Sequence, residues 1–267
     1  MILAPLVTAL SLLAPAPPTL IAAGDVASCR SSGDEATAAL VARIPGTVAL
    51  LGDSVYERGT AQEFRACYSW ARFRGRTRAA LGNHEYGSGN AAAAIAYFGL
   101  PRSGYYSYDL GDWHVVVLNS NCGPAGGCQQ GSPQQRWLDA DLAANPTLCT
   151  VAYMHHPRFS SGLHGSDTSL GALWTTLARG GVDVVLAGHD HHYERFAPFQ
   201  GIRFFVVGTG GRSHYPVLRR LSQPKSVALD YRTYGVLRLT LRAEGYDWRF
   251  VPVAGSTYSD SGSSGCR

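Results

Sequence analysis

Two imidazoles stand one residue apart in Gly188-His189-Asp190-His191, directly after the apolar run Val182-Asp183-Val184-Val185-Leu186-Ala187. That run reads as a buried strand, and residues i and i+2 of an extended segment face the same side. Two histidines on one side of a strand end can both ligate a metal ion. A His-x-His pair alone is ordinary surface or core chemistry, and its weight here comes from its company. Asp25, Asp53, Asn83 and His155 also follow apolar, strand-like runs. A parallel sheet gathers such strand ends along one edge, where α/β folds bind their ligands. Carboxylate, amide oxygen and imidazole suit first-row divalent or trivalent ions better than a thiolate set would. Six donors are too many for one tetrahedral ion. Two ions about 3.5–4 Å apart, sharing one carboxylate, would use them all. Glycine precedes four of the donors, at Gly24, Gly52, Gly82 and Gly188. Without a Cβ the chain can turn sharply and let the next side chain approach a shared point.

The elements needed to position these donors can be read in order. Leu20–Asp25 is a first strand, Gly33–Arg43 a helix and Thr47–Asp53 a second strand, a βαβ unit with a parallel pair whose strands both end in Gly-Asp. Ala61–Arg72 reads as helix and Arg78–Leu81 as a third strand. Gly104–Leu110 and Trp113–Leu118 form a hairpin about Gly111-Asp112. Ser132-Pro133 opens a helix with Ser as N-cap and Pro at its first position, and Asn145-Pro146 stops it. Leu148–Met154 is a strand running into His155, and Ser169–Arg179 is a helix leading into the Val182 strand. Strands follow near Ile202–Val207, Tyr234–Leu241 and Tyr246–Val253. There is no internal repeat and no linker, so the simplest organisation is one domain of mixed sheets with flanking helices.

Composition excludes some partners. The 267 residues carry a net charge of +4, with Lys225 the only lysine and no basic block. No basic stripe interleaves with aromatics, so nucleic acid is not expected as a structural partner. The N-terminus has two readings. Ile2–Leu13 with Ala14-Pro15-Ala16 resembles the apolar region and A-x-A site of an export signal, although it lacks a charged start and Pro17 follows the cut. The other reading is a disordered Pro/Ala leader. Either way the leader occupies residues 1–18, is too short to span a bilayer, and leaves residues 19–267 as the catalytic domain. Six cysteines without C-x-x-C spacing fit disulfides in an oxidising compartment. Cys122 and Cys128 flank a short Gly/Pro-rich loop and can pair locally. Cys266 would tie down the Gly/Ser-rich tail. Of fifteen connectivities, the expected one is Cys29–Cys67, Cys122–Cys128 and Cys149–Cys266.

Taken together, Gly24-Asp25, Gly52-Asp53, Gly82-Asn83-His84-Glu85, His155 and Gly188-His189-Asp190-His191 resemble the motifs of the calcineurin-like metallophosphoesterases, across nearly the whole chain. Within that family the chain looks most like a small, single-domain purple acid phosphatase. Tyr56, three residues after Asp53, matches the Gly-Asp-x-x-Tyr of that branch, and His155-His156-Pro157 and His191-His192-Tyr193-Glu194-Arg195 are similar to it as well. Ala27, where a smaller residue is usual, and Ala152 before His155 are minor departures. The large N-terminal β-sandwich of the plant enzymes has no room here. The resemblance implies an α/β/β/α sandwich of two mixed sheets flanked by helices. It implies a first metal held by Asp25, Tyr56 and His191, a second held by Asn83, His155 and His189, and Asp53 bridging them. Phenolate ligation at Tyr56, whose ordinary pKa is about 10, favours Fe³⁺ in that site, with a divalent Zn, Fe or Mn ion in the other.

The reaction such a site implies is hydrolysis of a phosphate monoester by a secreted enzyme, with a metal-activated hydroxide attacking phosphorus and the cations stabilising the developing charge. His84 cannot share the ligand place of Asn83. By resemblance it contacts the phosphate and protonates the leaving oxygen, a task that an ordinary pKa of about 6.5 suits. His164 matches a substrate-side histidine of the same enzymes, and a solvated loop residue is the other reading. Glu85 is expected to orient His84, Asp190 to cap the turn between the two ligands, and His114, His156, His192 and His214 to pack. A phosphodiesterase acting on cyclic nucleotides or lipid head groups would use the same core. A non-catalytic binding protein would be expected to have lost a ligand or His84, and none is lost.

Overall fold

The computed structural model describes residues 16–217 and 223–267. Most of the expected leader and part of the loop after Arg212 lie outside the described residues. Two sheets form the frame. The first runs, in spatial order, Ser261–Gly265, Gly245–Pro252, Gly235–Arg242, Thr19–Ala23, Thr47–Leu50 and Thr77–Ala79. Its last three strands are parallel and the others antiparallel. The second sheet runs Ser226–Asp230, Tyr193–Phe196, Arg203–Val207, Val184–Ala187, Cys149–Tyr153, Trp113–Val117 and Tyr106–Leu110. Its four central strands, from Arg203–Val207 to Trp113–Val117, are parallel. Both sheets are thus mixed, as the α/β/β/α expectation requires.

Period-two patterning decides which face of each strand goes where. In Trp113–Val117, Val115 and Val117 join the core between the sheets, together with Ile21, Val48, Val151, Leu186 and Phe205. Val116 and Leu118 point the other way and pack with Leu138, Leu173, Trp174 and Leu177 of the helices Pro133–Ala144 and Gly171–Arg179. A strand buried on both faces is mostly apolar, and this one is buried along its length, its one polar residue, His114, being paired with Asp109 and Asp141. The helix Gly33–Val41 packs against the strand Gly235–Arg242 of the first sheet. Ser132 caps its helix as expected, accepting from the Gln135 amide at 3.3 Å.

The differences from the sequence reading are local. The helix expected over Ala61–Arg72 ends at Cys67, and a 3-10 segment Ser69–Arg76 follows, turning the chain so that Trp70 reaches Thr37. Ala92–Phe98 is an additional helix between the left-handed residues Ala91 and Gly99. The Gly/Ser tail is not a loose end: Ser261–Gly265 is an edge strand paired with Gly245–Pro252. The three expected disulfides are all formed, with Cα–Cα separations of 5.0, 5.1 and 5.4 Å, and no cysteine is free. No described helix is long and apolar enough to cross a membrane.

Candidate metal centre

The parallel strands of both sheets end on the same side, and the donors sit where they end. Thr19–Ala23, Thr47–Leu50 and Thr77–Ala79 deliver Asp25, Asp53 and Asn83. Cys149–Tyr153 and Val184–Ala187 deliver His155, His189 and His191. Cross-sheet hydrogen bonds lock the two edges together: Gly24 N–H to the Val207 carbonyl at 2.9 Å, His155 Nδ1 to the Leu51 carbonyl at 2.8 Å and His189 N–H to Asp25 Oδ2 at 2.8 Å. The glycines preceding the donors are needed for this approach. A Cβ on Gly52 would lie 2.6 Å from His155 Nδ1, and one on Gly188 2.7 Å from Asp25 Oδ2. Asp25, Asp53 and His189 themselves adopt positive φ, at 61°, 49° and 70°. Left-handed non-glycine residues cost energy and cluster at functional sites.

All seven residues expected as ligands converge. The Tyr56 hydroxyl lies 2.8 Å from Asp25 Oδ1, 2.9 Å from Asp53 Oδ2 and 3.1 Å from His191 Nε2. His191 Nε2 is 3.3 Å from Asp25 Oδ1. On the other side of Asp53, His155 Nε2 lies 3.3 Å from Oδ2, 3.1 Å from Asn83 Oδ1 and 3.2 Å from His189 Nδ1. Asp53 is common to both groups. The ring tautomers agree with a ligand role. His155 Nδ1 donates to the Leu51 carbonyl, so Nε2 is the ring atom turned toward the cluster. His191 Nδ1 pairs with Ser213 Oγ at 2.8 Å, and its Nε2 likewise faces inward.

The donor set fits ions. With metal–ligand bonds of about 2.0–2.2 Å, neighbouring ligands around an octahedral ion stand about 3 Å apart, the spacing found on both sides of Asp53. The ligand atoms of Asp25, Asp53 and His155 all lie within 4.8 Å of one another, as do those of His155, His156 and His189. Protonation also reflects the crowding. Burial and the Asp25 and Asp53 carboxylates push the Tyr56 phenol well above its usual value. Burial opposes the Asp53 charge, but the charge and hydrogen bond of His155 win and hold this carboxyl well below the usual range. For His155 burial acts downward, and Asp53 outweighs it, raising the imidazole to about 9. His189 is driven far down by burial and by His155, His156 and His164. His156 falls to about 4 through burial and His155.

Around the cluster, the His84 ring packs against Tyr56, tilted by 46° with centroids 4.1 Å apart, and its Nε2 is 3.9 Å from Asp53 Oδ2, outside bonding distance. Its Nδ1 lies 2.6 Å from the Glu57 carbonyl. The ring is therefore oriented by Glu57 and not, as expected, by Glu85. Glu85 is fully buried and accepts the amides of Asp53, Ser54 and Gly82 at 2.9, 2.6 and 2.7 Å. It holds the loops that carry the donors. Asp190 does not cap its own turn either. It takes Ser160 Oγ at 2.5 Å and the His164 amide at 2.9 Å, fixing the loop that carries His164. The exposed His164 ring lies 4.4 Å from that of His189, at the mouth. His192 pairs with buried Glu194, and His114 lies between Asp109 and Asp141, both away from the cluster. Sequence reasoning missed Ser120, Glu57, Arg212, Ser213 and Tyr215, which pack directly on the site. Ser120 Oγ contacts His156 Nδ1 at 2.9 Å, and Tyr215 stacks on His191 at 4.0 Å. These are single residues in irregular loops, with no spacing pattern to reveal them.

A two-sheet α/β sandwich with carboxylate, amide and imidazole donors gathered at one edge defines a metallophosphoesterase, and the chain belongs to the calcineurin-like phosphoesterase family, whose model matches residues 18–193. An uncharacterized protein of Mycobacterium tuberculosis is 32% identical over 199 residues, covering 62% of this chain and 37% of the relative. Purple acid phosphatase 21 of Arabidopsis thaliana is 34% identical over 141 residues, covering 48% of this chain and 31% of the relative. The chain thus spans only about a third of the length of these curated relatives. Among solved structures, the purple acid phosphatase PPD1 of yellow lupin superposes with a TM-score of 0.74 at 17% identity, covering 92% of this chain and 53% of that one. GAP50, the anchor in the inner membrane complex of Plasmodium, superposes with a TM-score of 0.75 at 13% identity, over 95% of this chain and 90% of that one. At such identities the structural matches establish the fold.

Proposed function

We propose that this chain is a secreted hydrolase of phosphate monoesters that works with two metal ions, residues 19–267 forming the catalytic unit. Asp25, Tyr56 and His191 would hold the first ion, Asn83, His155 and His189 the second, and Asp53 both. The observation that carries the reading is the position of the Tyr56 hydroxyl, set between two carboxylates and an imidazole. A buried phenol whose proton is trapped by two acids is a poor arrangement for stability alone. It becomes a sound one once a cation replaces the proton, and a trivalent ion such as Fe³⁺ does so most readily. The second site, with two imidazoles and an amide, suits a divalent Zn, Fe or Mn ion. When bound, such a pair supplies Lewis acidity and brings the pKa of a water near neutrality.

The remaining work belongs to side chains. His84, fixed through Nδ1 by Glu57, presents Nε2 toward the cluster and can deliver a proton to a leaving oxygen. His164 stands at the mouth and can donate to a substrate oxygen. Asp53, lying between the two groups of donors, would serve as a shared ligand rather than as an acid. The three disulfides support residence in an oxidising compartment. The test is metal analysis of the purified protein together with a panel of mono- and diesters. Two ions per chain and faster monoester turnover are expected. A preference for diesters would assign the chain to the phosphodiesterase branch, and fewer than two ions would refute the dinuclear reading.

A further inference from the structure

The loop after the strand Arg203–Val207 wraps the Tyr56 end of the cluster. The Arg212 amide donates to the Asp25 carbonyl at 2.9 Å, Ser213 holds His191, and Tyr215 stacks on His191. The Arg212 guanidinium carbon lies 5.1 Å from the centre of the Tyr56 ring. An arginine side chain has five N–H donors. Among the described residues Arg212 bonds through one nitrogen, Nη2, to Glu57 Oε1 at 2.8 Å. Its Nε is buried and has no partner. A buried donor without an acceptor is costly. The Glu57 pair is partly exposed, with 24% of the Arg212 and 41% of the Glu57 side chain accessible, and such pairs contribute little. The fork is thus held beside the cluster with most of its donors unused.

We infer that Arg212 is a specificity-determining residue that recognises the doubly charged phosphate of a monoester. The inference rests on the phosphatase reading above. A phosphate monoester near neutral pH carries close to two negative charges, its second pKa being about 6, and has three non-ester oxygens. A diester has two such oxygens and one charge. With two phosphate oxygens taken up by the ions, a diester would have none left, and the additional oxygen and charge of the monoester are what the guanidinium N–H groups would read. Glu57 competes for the same fork and holds it in place until an anion arrives.

The experiment compares wild type, Arg212→Gln, Arg212→Lys and Glu57→Gln, all metal-loaded. Inorganic phosphate binding is read by calorimetry, ion content by mass spectrometry, and kcat/KM on a matched aryl monoester and diester. Arg212→Gln should weaken phosphate binding and monoester kcat/KM by about 10- to 100-fold, as loss of a charge-assisted hydrogen bond does, with both ions retained. Its diester kcat/KM should change by less than about fivefold. Arg212→Lys, which keeps the charge and loses the fork, should recover part of the loss. Glu57→Gln should bind phosphate as tightly as wild type or more tightly. Equal losses in Arg212→Gln and Glu57→Gln would mean that the pair only holds the loop, and equal losses on both esters would mean that no charge is read. Either result overturns the inference. A wild type that hydrolyses no monoester overturns the phosphatase reading and this inference with it. An active wild type matched by Arg212→Gln overturns this inference alone.

Discussion

Removing Glu85 should loosen the metal centre without touching a ligand. Its carboxylate is fully buried and takes three backbone amides, Asp53 and Gly82 through Oε2 and Ser54 through Oε1. Glu85→Ala leaves three buried N–H groups without acceptors. At about 1 kcal/mol or more for each orphaned donor, the loss should be about 3 kcal/mol, within the usual range for a broken buried network. Glu85→Gln keeps one oxygen, enough for Asp53 and Gly82, but sets an NH₂ group against the Ser54 amide. It forfeits one charge-assisted bond, about 1.5–3 kcal/mol. Part of that returns, because burial and the Asp53 charge already raise the Glu85 pKa and disfavour its ionised form. The order of stability should be wild type, then Gln, then Ala. Urea unfolding of the metal-loaded protein measures the energies, and ion content after dialysis against a weak chelator measures the site, where Ala should lose ions first. If Glu85→Ala unfolds within about 1 kcal/mol of wild type and retains its ions, the three amides have other acceptors and the argument is wrong.

Tyr56→Phe should abolish the visible phenolate-to-iron band of iron-loaded protein while keeping fold and second ion; an iron-loaded wild type without such a band would remove Tyr56 from the ligand set. His84→Ala should keep both ions and lose about 10²–10⁴-fold in rate, less on a nitrophenyl ester than on an alkyl phosphate. Equal losses on the two would make His84 a phosphate-positioning group, and lost ions would mean that Asn83 and His84 have been assigned wrongly. The hydrogen bond to Asp141, opposed by burial and aided by Asp109, raises the His114 pKa. Stability from this raised base is therefore fully present below an unfolded value of about 6.5 and fades as pH rises through the folded value. The stability gap between wild type and His114→Gln should shrink across that window, and a gap independent of pH would contradict the charged pairing. Thiol titration of the unreduced, denatured protein should find no free thiols, since all six cysteines are paired; six would contradict both the bridges and export.

What could be read from the sequence follows a physical division. Strands buried on both faces, such as Thr47–Leu50 and Val184–Ala187, announce themselves as apolar runs. The Gly-Asp and Gly-His steps after them mark the edge, so the residues that converge there were legible before any coordinates. Tyr193–Phe196 was not legible because it carries Glu194 and Arg195, made tolerable by Ser161 and His192 for one and by Asp260 for the other. Ser261–Gly265 has no apolar pattern at all and is a strand only because Gly245–Pro252 offers a free edge and Cys266 is bridged to Cys149. Glu85 and Asp190 were placed in the right neighbourhood with the wrong partners. Apart from Gly82, their partners come from loops far away in sequence, Asp53 and Ser54 for Glu85 and Ser160 and His164 for Asp190, which no local rule reaches.

The donors are divided between the two sheets, Asp25, Asp53 and Asn83 on one and His155, His189 and His191 on the other. The distance between the sheets is therefore also a dimension of the active cleft, set by the girth of residues such as Leu50, Val151, Leu186 and Phe205 that wedge the layers apart. Facing sheets normally settle about 10 Å apart, and trimming a methylene from that wedge lets them sag toward each other. A few tenths of an ångström matter little to a hydrocarbon contact but much to bonds near 2 Å. Such far-off trims should therefore be felt twice, as lost packing in the core and as a shifted spacing at the candidate site.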